Sequence, residues 1–403
     1  MLKAGLVTSL CSVFSLSALA DTPLFSDPLK SSNTLQPFVS TSIAHEDNLF
    51  RLSGDELGRA VDGADTFRTV GGGLRFDRPV SRQLLTGMVD VNSVKFDRNR
   101  QLDYLRKEMS GDWHWFIARN FEGHIGGLYT QVLAPFADFH SMERNLRVNK
   151  KQYADGSWRL RSSYTKNQYE YDLPSQRGND RTEDSLTSGV DYLAASGSTI
   201  GLQVRRLEGN YAPGLASAIP GFGLSGYDQD EAKVNILWLA TGKTQVLFLG
   251  GFVRRQQKDD ADRVNSGTNA RLIVNWAPTG RIKLTGQTWR EFSAIDGALI
   301  DSALTSGASA VTTWDISAKM QAVADLKRET RQFTPFAADS TQLVSAIASD
   351  STKAASVGLV YKPLRSITVK ASAFHEERAG SLAAGTNSYK VNGAAISASL
   401  QFQ

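Results

Sequence analysis

From residue 36 onward, apolar and polar residues alternate singly over short stretches. This period of two puts successive side chains on opposite faces of a β-strand. In "RQLLTGMVDVNSV", Leu85, Gly87, Val89 and Val91 fall on one face and Thr86, Met88, Asp90 and Asn92 on the other. In "RSITVKASAF", Ile367, Val369, Ala371 and Ala373 alternate with Thr368, Lys370 and Ser372. The last residues, "AAISASLQFQ", set Ile396, Ala398, Leu400 and Phe402 against Ser397, Ser399, Gln401 and Gln403. Helical spacing competes mainly at "VNILWLA" and "VLFLGGF". The pattern predicts about 18 strands.

The connections sort by length. Short turn signals lie at 77–81, 118–123, 154–157, 195–198, 240–243, 277–281, 317–319 and 362–366. Between them come the longer segments 51–65, 134–141, 173–180, 212–226, 258–263, 294–302, 333–349 and 379–386. Alternation of tight and long connections is the signature of an outer-membrane barrel, with short periplasmic turns and long extracellular loops. A soluble sandwich has no reason to sort its loops by parity. The expected fold is therefore all-β: a transmembrane antiparallel β-barrel of about 18 strands. Closure requires the strand near Phe38–Ala44 to pair with the one near Ala394–Phe402, because an open edge in lipid leaves backbone groups unpaired. Trp113, Trp115, Trp158, Trp238, Trp276 and Trp314 all lie near short turns, as a girdle at one membrane boundary would place them; Trp289 lies elsewhere. Phe402 is in register for a terminal aromatic, although Gln403 follows it.

The first residues change the address. Lys3, the apolar "AGLVTSLCSVFSL" and Ala18-Leu19-Ala20 read as a secretory signal over residues 1–20, cleaved after Ala20. Residues 21–34 read as a flexible periplasmic segment, and 35–403 as the barrel. Cys11 is removed with the signal, so neither disulfides nor thiol chemistry is expected. Without Lys3 the 45 basic residues become 44, against 41 acidic, a balance that excludes a nucleic-acid binder or a polybasic membrane peptide. The expected surroundings are outer-membrane lipid and lipopolysaccharide.

"SIAHEDNLFRL", "TVGGGLRFDRPVSRQ", "VKFDRNRQLDY" and "DWHW" together resemble the EpsL-type outer-membrane proteins of exopolysaccharide biosynthesis clusters, grouped with the β-barrel porins. The resemblance is densest over 36–172. It implies a barrel that passes, or helps to pass, a polysaccharide to the cell surface, working with periplasmic components of that machinery.

Candidate chemistry is sparse. His45, Glu46, Asp47 and Asn48 are consecutive, so on a strand they alternate faces; a polar strand end entering the first outer loop outweighs a calcium site. "GFGLSG" (221–226) matches a dinucleotide fingerprint in letters, but a Pro/Gly loop precedes it and a strand follows, which suits a flexible outer loop. "EDSL" (183–186) and the histidines His45, His114, His124, His140 and His375 offer no recognisable nucleophile setting. No catalytic residue, metal or cofactor is assigned, and a barrel enzyme is the least favoured class.

The strongest constellation is basic and points inward. Leu146 and Val148 leave Arg147, Asn149 and Lys151 on the other face; Trp158 and Leu160 leave Arg159 and Arg161. Arg205 and Gln203 oppose Ile200, Leu202 and Val204, while Arg281, Lys283, Thr285 and Gln287 oppose Ile282 and Leu284. Lys370 joins them, and Asp325, Lys327, Glu329 and Arg331 form a mixed row. Charge on the lipid face near the midplane costs roughly 2–4 kcal/mol per Arg or Lys, which assigns these residues to the lumen. Such a lining favours anionic solutes, and arginines with Tyr164, Tyr169 and Tyr171 could bracket sugar rings. The competing expectation is a polar wall whose charges pair with one another. The readings carried forward are a polysaccharide conduit and a general or anion-selective porin.

Overall fold

The eighteen alternating stretches form eighteen strands. They are β1 (Leu35–Glu46), β2 (Asp65–Val80), β3 (Gln83–Phe96), β4 (Tyr104–Ile117), β5 (Phe121–Gln131), β6 (Met142–Asp155), β7 (Trp158–Glu170), β8 (Arg181–Leu193) and β9 (Thr199–Tyr211). The second half contains β10 (Gly226–Thr241), β11 (Thr244–Gln257), β12 (Val264–Trp276), β13 (Ile282–Ala294), β14 (Ile300–Asp315), β15 (Met320–Pro335), β16 (Ser349–Leu364), β17 (Ile367–Ala379) and β18 (Tyr389–Gln401). The computed structural model describes residues 35–54, 63–117, 121–133, 142–155, 157–171, 177, 180–212, 225–258, 264–294, 300–335, 349–381 and 386–402. Of these, β6, 293–294, 300–302 and 334–335 are described by backbone alone. The expected signal and the segment 21–34 lie outside the described residues.

Each strand pairs antiparallel with the next, and β18 returns to β1, so the sheet closes on itself. The closing register runs from Phe38 opposite Gln401 to Glu46 opposite Gly393, the pairing that the sequence demanded. Phe402 adds one further bond, its N–H donating to the Pro37 carbonyl at 2.8 Å. The β2–β3 turn is tighter than the sequence suggested. Residues 77–80 belong to β2, and the chain reverses at 81–82, with Ser81 in the left-handed region at φ 57°.

Outward positions carry the apolar belt. Leu35, Val39 and Ile43 on β1, Ile200, Leu202 and Val204 on β9, and Phe252 on β11 are all exposed, as lipid-facing side chains of a barrel must be. Trp113, Trp158, Trp238, Trp276 and Trp314 are 39–58% exposed at the short-turn ends, forming the expected girdle. Trp115 shares the face of Trp113 on β4. Toward the long-loop ends the outward rows become charged, with Arg68, Lys95, Arg206, Asp230, Lys353 and Lys390 exposed there. Those charges stand where strands leave hydrocarbon for headgroups.

On the inner face the wall thickens near the long-loop rim. Leu49 folds in from the first long connection and packs with Ala44, Phe67, Val94, Phe96 and Leu102. Two inner aromatics lie flat on glycine. A Cβ on Gly209 would stand 2.4 Å from the Tyr227 ring, and one on Gly307 would stand 2.4 Å from Trp289. The missing side chains let these rings rest directly on the backbone of the neighbouring strand.

The lumen wall as candidate functional site

The inward rows bring together residues far apart in sequence. Arg159 and Arg161 on β7 converge on Asp191 of β8, which is completely buried. Arg159 donates Nε and Nη2 to Asp191 Oδ2 at 2.9 and 2.8 Å. Arg161 donates Nη2 to Asp191 Oδ1 at 2.9 Å and to Asn235 Oδ1 at 3.0 Å. Asn235 Nδ2 completes the set on Asp191 Oδ1 at 2.9 Å. Two guanidinium groups thus share one carboxylate, leaving this part of the wall with one net positive charge held in a fixed hydrogen-bond frame. Further along, Arg205 donates to Ser185 Oγ at 3.0 Å and lies 3.6 Å from Glu231, whose carboxylate also meets Lys233 at 2.7 Å.

The remaining predicted positions divide. Lys283 and Lys370 share inward rows, Lys283 with Thr285 and Gln287, and Lys370 in the electrostatic neighbourhood of Arg75. Arg75 in turn lies over the Phe38 ring at 5.6 Å. Arg281 does not belong to the wall. It ends the exposed turn 277–281 at the short-turn rim, where its N–H donates to Thr279 Oγ1 at 3.2 Å. Arg147 and Lys151 belong to β6, whose side chains lie outside the described residues. The backbone pairing of β6 still corrects the even alternation expected there. The register skips Asn149, so that Lys150 pairs with His124 while Lys151 pairs with Gly123. A one-residue bulge exchanges the two faces beyond it. The row begun by Arg147 therefore continues through Lys150, not Lys151.

Sequence reasoning missed the acids and the rings that hold the arginines. Alternation alone would have placed Asp191, between Val190 and Tyr192, on the inner row. Nothing local revealed that it would meet two arginines of the preceding strand. Asp350 is likewise met from both sides: it receives Arg331 of the preceding strand, Nε at 2.9 Å and Nη2 at 2.5 Å, and lies 4.0 Å from Arg378 of the following one. Arg271 chelates Glu291 at 2.9 and 2.7 Å. Charges thus pair along much of the described wall.

Aromatic faces complete the wall. Arg255 stacks on Tyr227 at 3.5 Å, Arg181 on Tyr169 at 4.0 Å and Arg331 on Phe333 at 5.4 Å. Trp289, the one tryptophan away from the girdle, faces inward, 8% exposed, between Arg271 and Lys327 at 5.9 and 5.8 Å. Of the tyrosines expected to bracket sugars, Tyr169 is on this wall and Tyr171 is buried beyond the end of β7. Tyr164 shares the outward row of Trp158 and Leu160, so it faces lipid.

"HEDNLF" resolves into four separate roles. His45 points outward to Thr66 Oγ1 at 2.9 Å. Glu46 is buried and accepts from Arg51 Nη1 at 2.6 Å. Asp47 accepts from the Asn392 N–H and Nδ2, both at 2.7 Å. Asn48 donates to the carbonyls of Leu52 and Lys390, each at 2.9 Å. Three of the four thus fasten the first long connection onto the β1–β18 seam, and among the described residues no cluster could hold a metal ion. Of "GFGLSG", only Ser225 and Gly226 are described. Ser185 is engaged by Arg205 rather than by a histidine. His114 and His124 instead stack on each other at 3.9 Å, with Asp112 3.1 Å from His124.

Fold and wall define a transmembrane antiparallel β-barrel of eighteen strands with a polar, charge-paired lumen. The solved structures it resembles include OpdQ of Pseudomonas aeruginosa (12% identity, TM-score 0.49, covering 92% of this chain and 98% of that one). They also include OccK2 (OpdF) of the same organism (10%, 0.49, 91% and 98%) and the outer-membrane channel DcaP of Acinetobacter baumannii (14%, 0.45, 91% and 96%). No family model matches the chain, and no curated protein matches it in sequence.

Proposed function

We propose that the protein is an outer-membrane channel taking part in exopolysaccharide export, with polymer or oligosaccharide passing along the lumen. The observation that carries this reading is the composition of the wall. A sugar ring offers hydroxyl groups around its edge and an apolar face, so a surface that binds it loosely needs hydrogen-bonding groups beside aromatic planes. The inner rows place such groups side by side where Arg181 meets the half-buried Tyr169 and where Arg271 and Lys327 flank the edge of Trp289, whereas Arg255 and Tyr227 are buried within the wall. A barrel of eighteen strands is wide enough for an aqueous passage. The resemblance of residues 36–172 to EpsL-type proteins points to the same substrate, with periplasmic machinery delivering it. The test is deletion with complementation. Loss of surface polysaccharide with unchanged uptake of small solutes supports export, and intact surface polysaccharide contradicts it.

A general or anion-selective porin is the second reading. It is favoured by the excess positive charge around Asp191, where Arg159 and Arg161 share one carboxylate. A KCl reversal potential on the cation side would remove its anion-selective form, and absence of small-solute conductance would remove it altogether.

A further inference from the structure

The outer wall carries a feature that neither channel reading uses. Across β8 to β12 the lipid-facing surface is indented by a groove of about 700 Å³. Its geometry follows from the register. On one rung Val204, Ala232, Phe252 and Thr268 stand side by side, so the short Ala232 side chain forms a floor between two larger apolar walls. Ser188 continues this rung beside Val204, Leu186 stands one rung nearer the long-loop rim beside Arg206, and Phe252 on the other side is 73% exposed. On the next rung toward the long-loop rim stand Arg206, Asp230, Arg254 and Ser266. An apolar slot therefore opens directly beneath a charged lip.

The lip is unevenly paired. Arg206 donates Nη1 to both oxygens of Asp230, at 3.0 and 3.1 Å, and Nη2 to Asp228 at 3.1 Å. Arg254 is exposed on the far side of Asp230 and has no hydrogen-bond or ion-pair partner among the described residues. Leaving a guanidinium unmatched on the lipid-facing surface is costly at hydrocarbon depth and favourable only at headgroup depth, next to an anion. Long connections mark this end of the barrel as extracellular.

We propose that the groove seats one acyl chain of a phosphorylated, multiply acylated saccharide lipid of the outer leaflet, a lipopolysaccharide, with Arg254 donating to its phosphate. Val204, Leu186 and Phe252 flank the chain over Ala232. Asp230 can accept from hydroxyl groups of the saccharide, and the Ser266 and Thr268 hydroxyls can donate to its oxygens. That breadth of polar lip suits a sugar headgroup better than the single small headgroup of a glycerophospholipid. The site is continuous with the apolar belt, so its occupant arrives by lateral diffusion in the leaflet.

The test uses the full chain folded in detergent and native mass spectrometry with three probes: bisphosphorylated hexa-acyl lipid A, the same lipid without phosphates, and phosphatidylethanolamine. Bound lipid A should exceed the dephosphorylated form by about tenfold in affinity, the worth of one charge-assisted hydrogen bond. Arg254→Gln should remove that preference, and Ala232→Trp, which fills the floor, should weaken all acyl-chain binding at the site. Because Arg254 is exposed and makes no described polar contact, its variant decides the matter if Ala232→Trp fails to fold. Equal binding of the three lipids overturns the proposal, as does unchanged lipid A binding in Arg254→Gln. So does a change of oligomeric mass in Ala232→Trp with lipid A binding intact, which would make the groove a contact between copies.

Discussion

Replacing Asp191 with asparagine tests whether the lumen wall is held by ion pairing. The carboxylate is completely buried and receives four donors within 2.9 Å, three of them from Arg159 and Arg161. Asparagine keeps the size but turns one oxygen into an NH2 that faces guanidinium donors. Removing one partner of a fully buried ion pair costs about 3–5 kcal/mol. Here Arg159 and Arg161 are 26% and 23% exposed, so water from the lumen recovers part of that loss. The expected cost is about 2–3 kcal/mol, or roughly a 30- to 150-fold drop in the folded ratio. Urea titration of the barrel folded in detergent, followed by tryptophan fluorescence, measures it. The same variant leaves two adjacent cations uncompensated, so its reversal potential in a KCl gradient should move toward chloride. The triple variant Arg159→Gln, Asp191→Asn, Arg161→Gln removes the charges together and should recover most of the stability, while its reversal potential should move back past that of the parent, whose cluster keeps one net positive charge. A cost below about 0.5 kcal/mol, with an unmoved reversal potential, would refute the assignment of this network as a structural element of the pore.

Three further outcomes are expected. Arg51→Ala strips the buried Glu46 of its 2.6 Å partner, and should lower the unfolding midpoint by an amount equivalent to about 3 kcal/mol while loosening the β1–β18 seam in hydrogen exchange. Brominated lipid should quench Trp158 and Trp238 in single-tryptophan variants and leave Trp289 emission unchanged, since only the first two face the membrane. Gly307→Val pushes a side chain into the Trp289 ring, and should alter the near-ultraviolet signal of that indole with a loss of about 1–3 kcal/mol in stability.

Much of this architecture is legible in the chain because a barrel repeats one rule. Period-two alternation gave about eighteen strands, loop parity separated the two rims although the connection between β3 and β4 went unmarked, and tryptophans near the short turns marked one boundary. The failures occur where the rule is broken or where contacts are distant. The bulge at Asn149 moves Lys151 off the row of Arg147 through one extra backbone residue, and no side-chain pattern signals it. Arg281 continues the alternation of β13 on paper, yet the strand begins only at Ile282. The pairing of Arg331 with Asp350 joins residues on separate strands across a long connection, so alternation gives their facing but not their partnership. The first connection was equally opaque. Asp47 and Asn48 reach β18, more than 340 positions away in sequence. Only closure of the barrel brings them together.

The proposed role requires that this barrel conduct and that its lumen wall engage sugar. The most direct measurement is planar-bilayer recording of the purified chain, with increasing oligosaccharide added to one side. Stepwise conductance with reversible, concentration-dependent interruptions that weaken in Trp289→Ala is the predicted result. A bilayer that stays silent with correctly folded protein, or currents indifferent to oligosaccharide at every concentration, would contradict it.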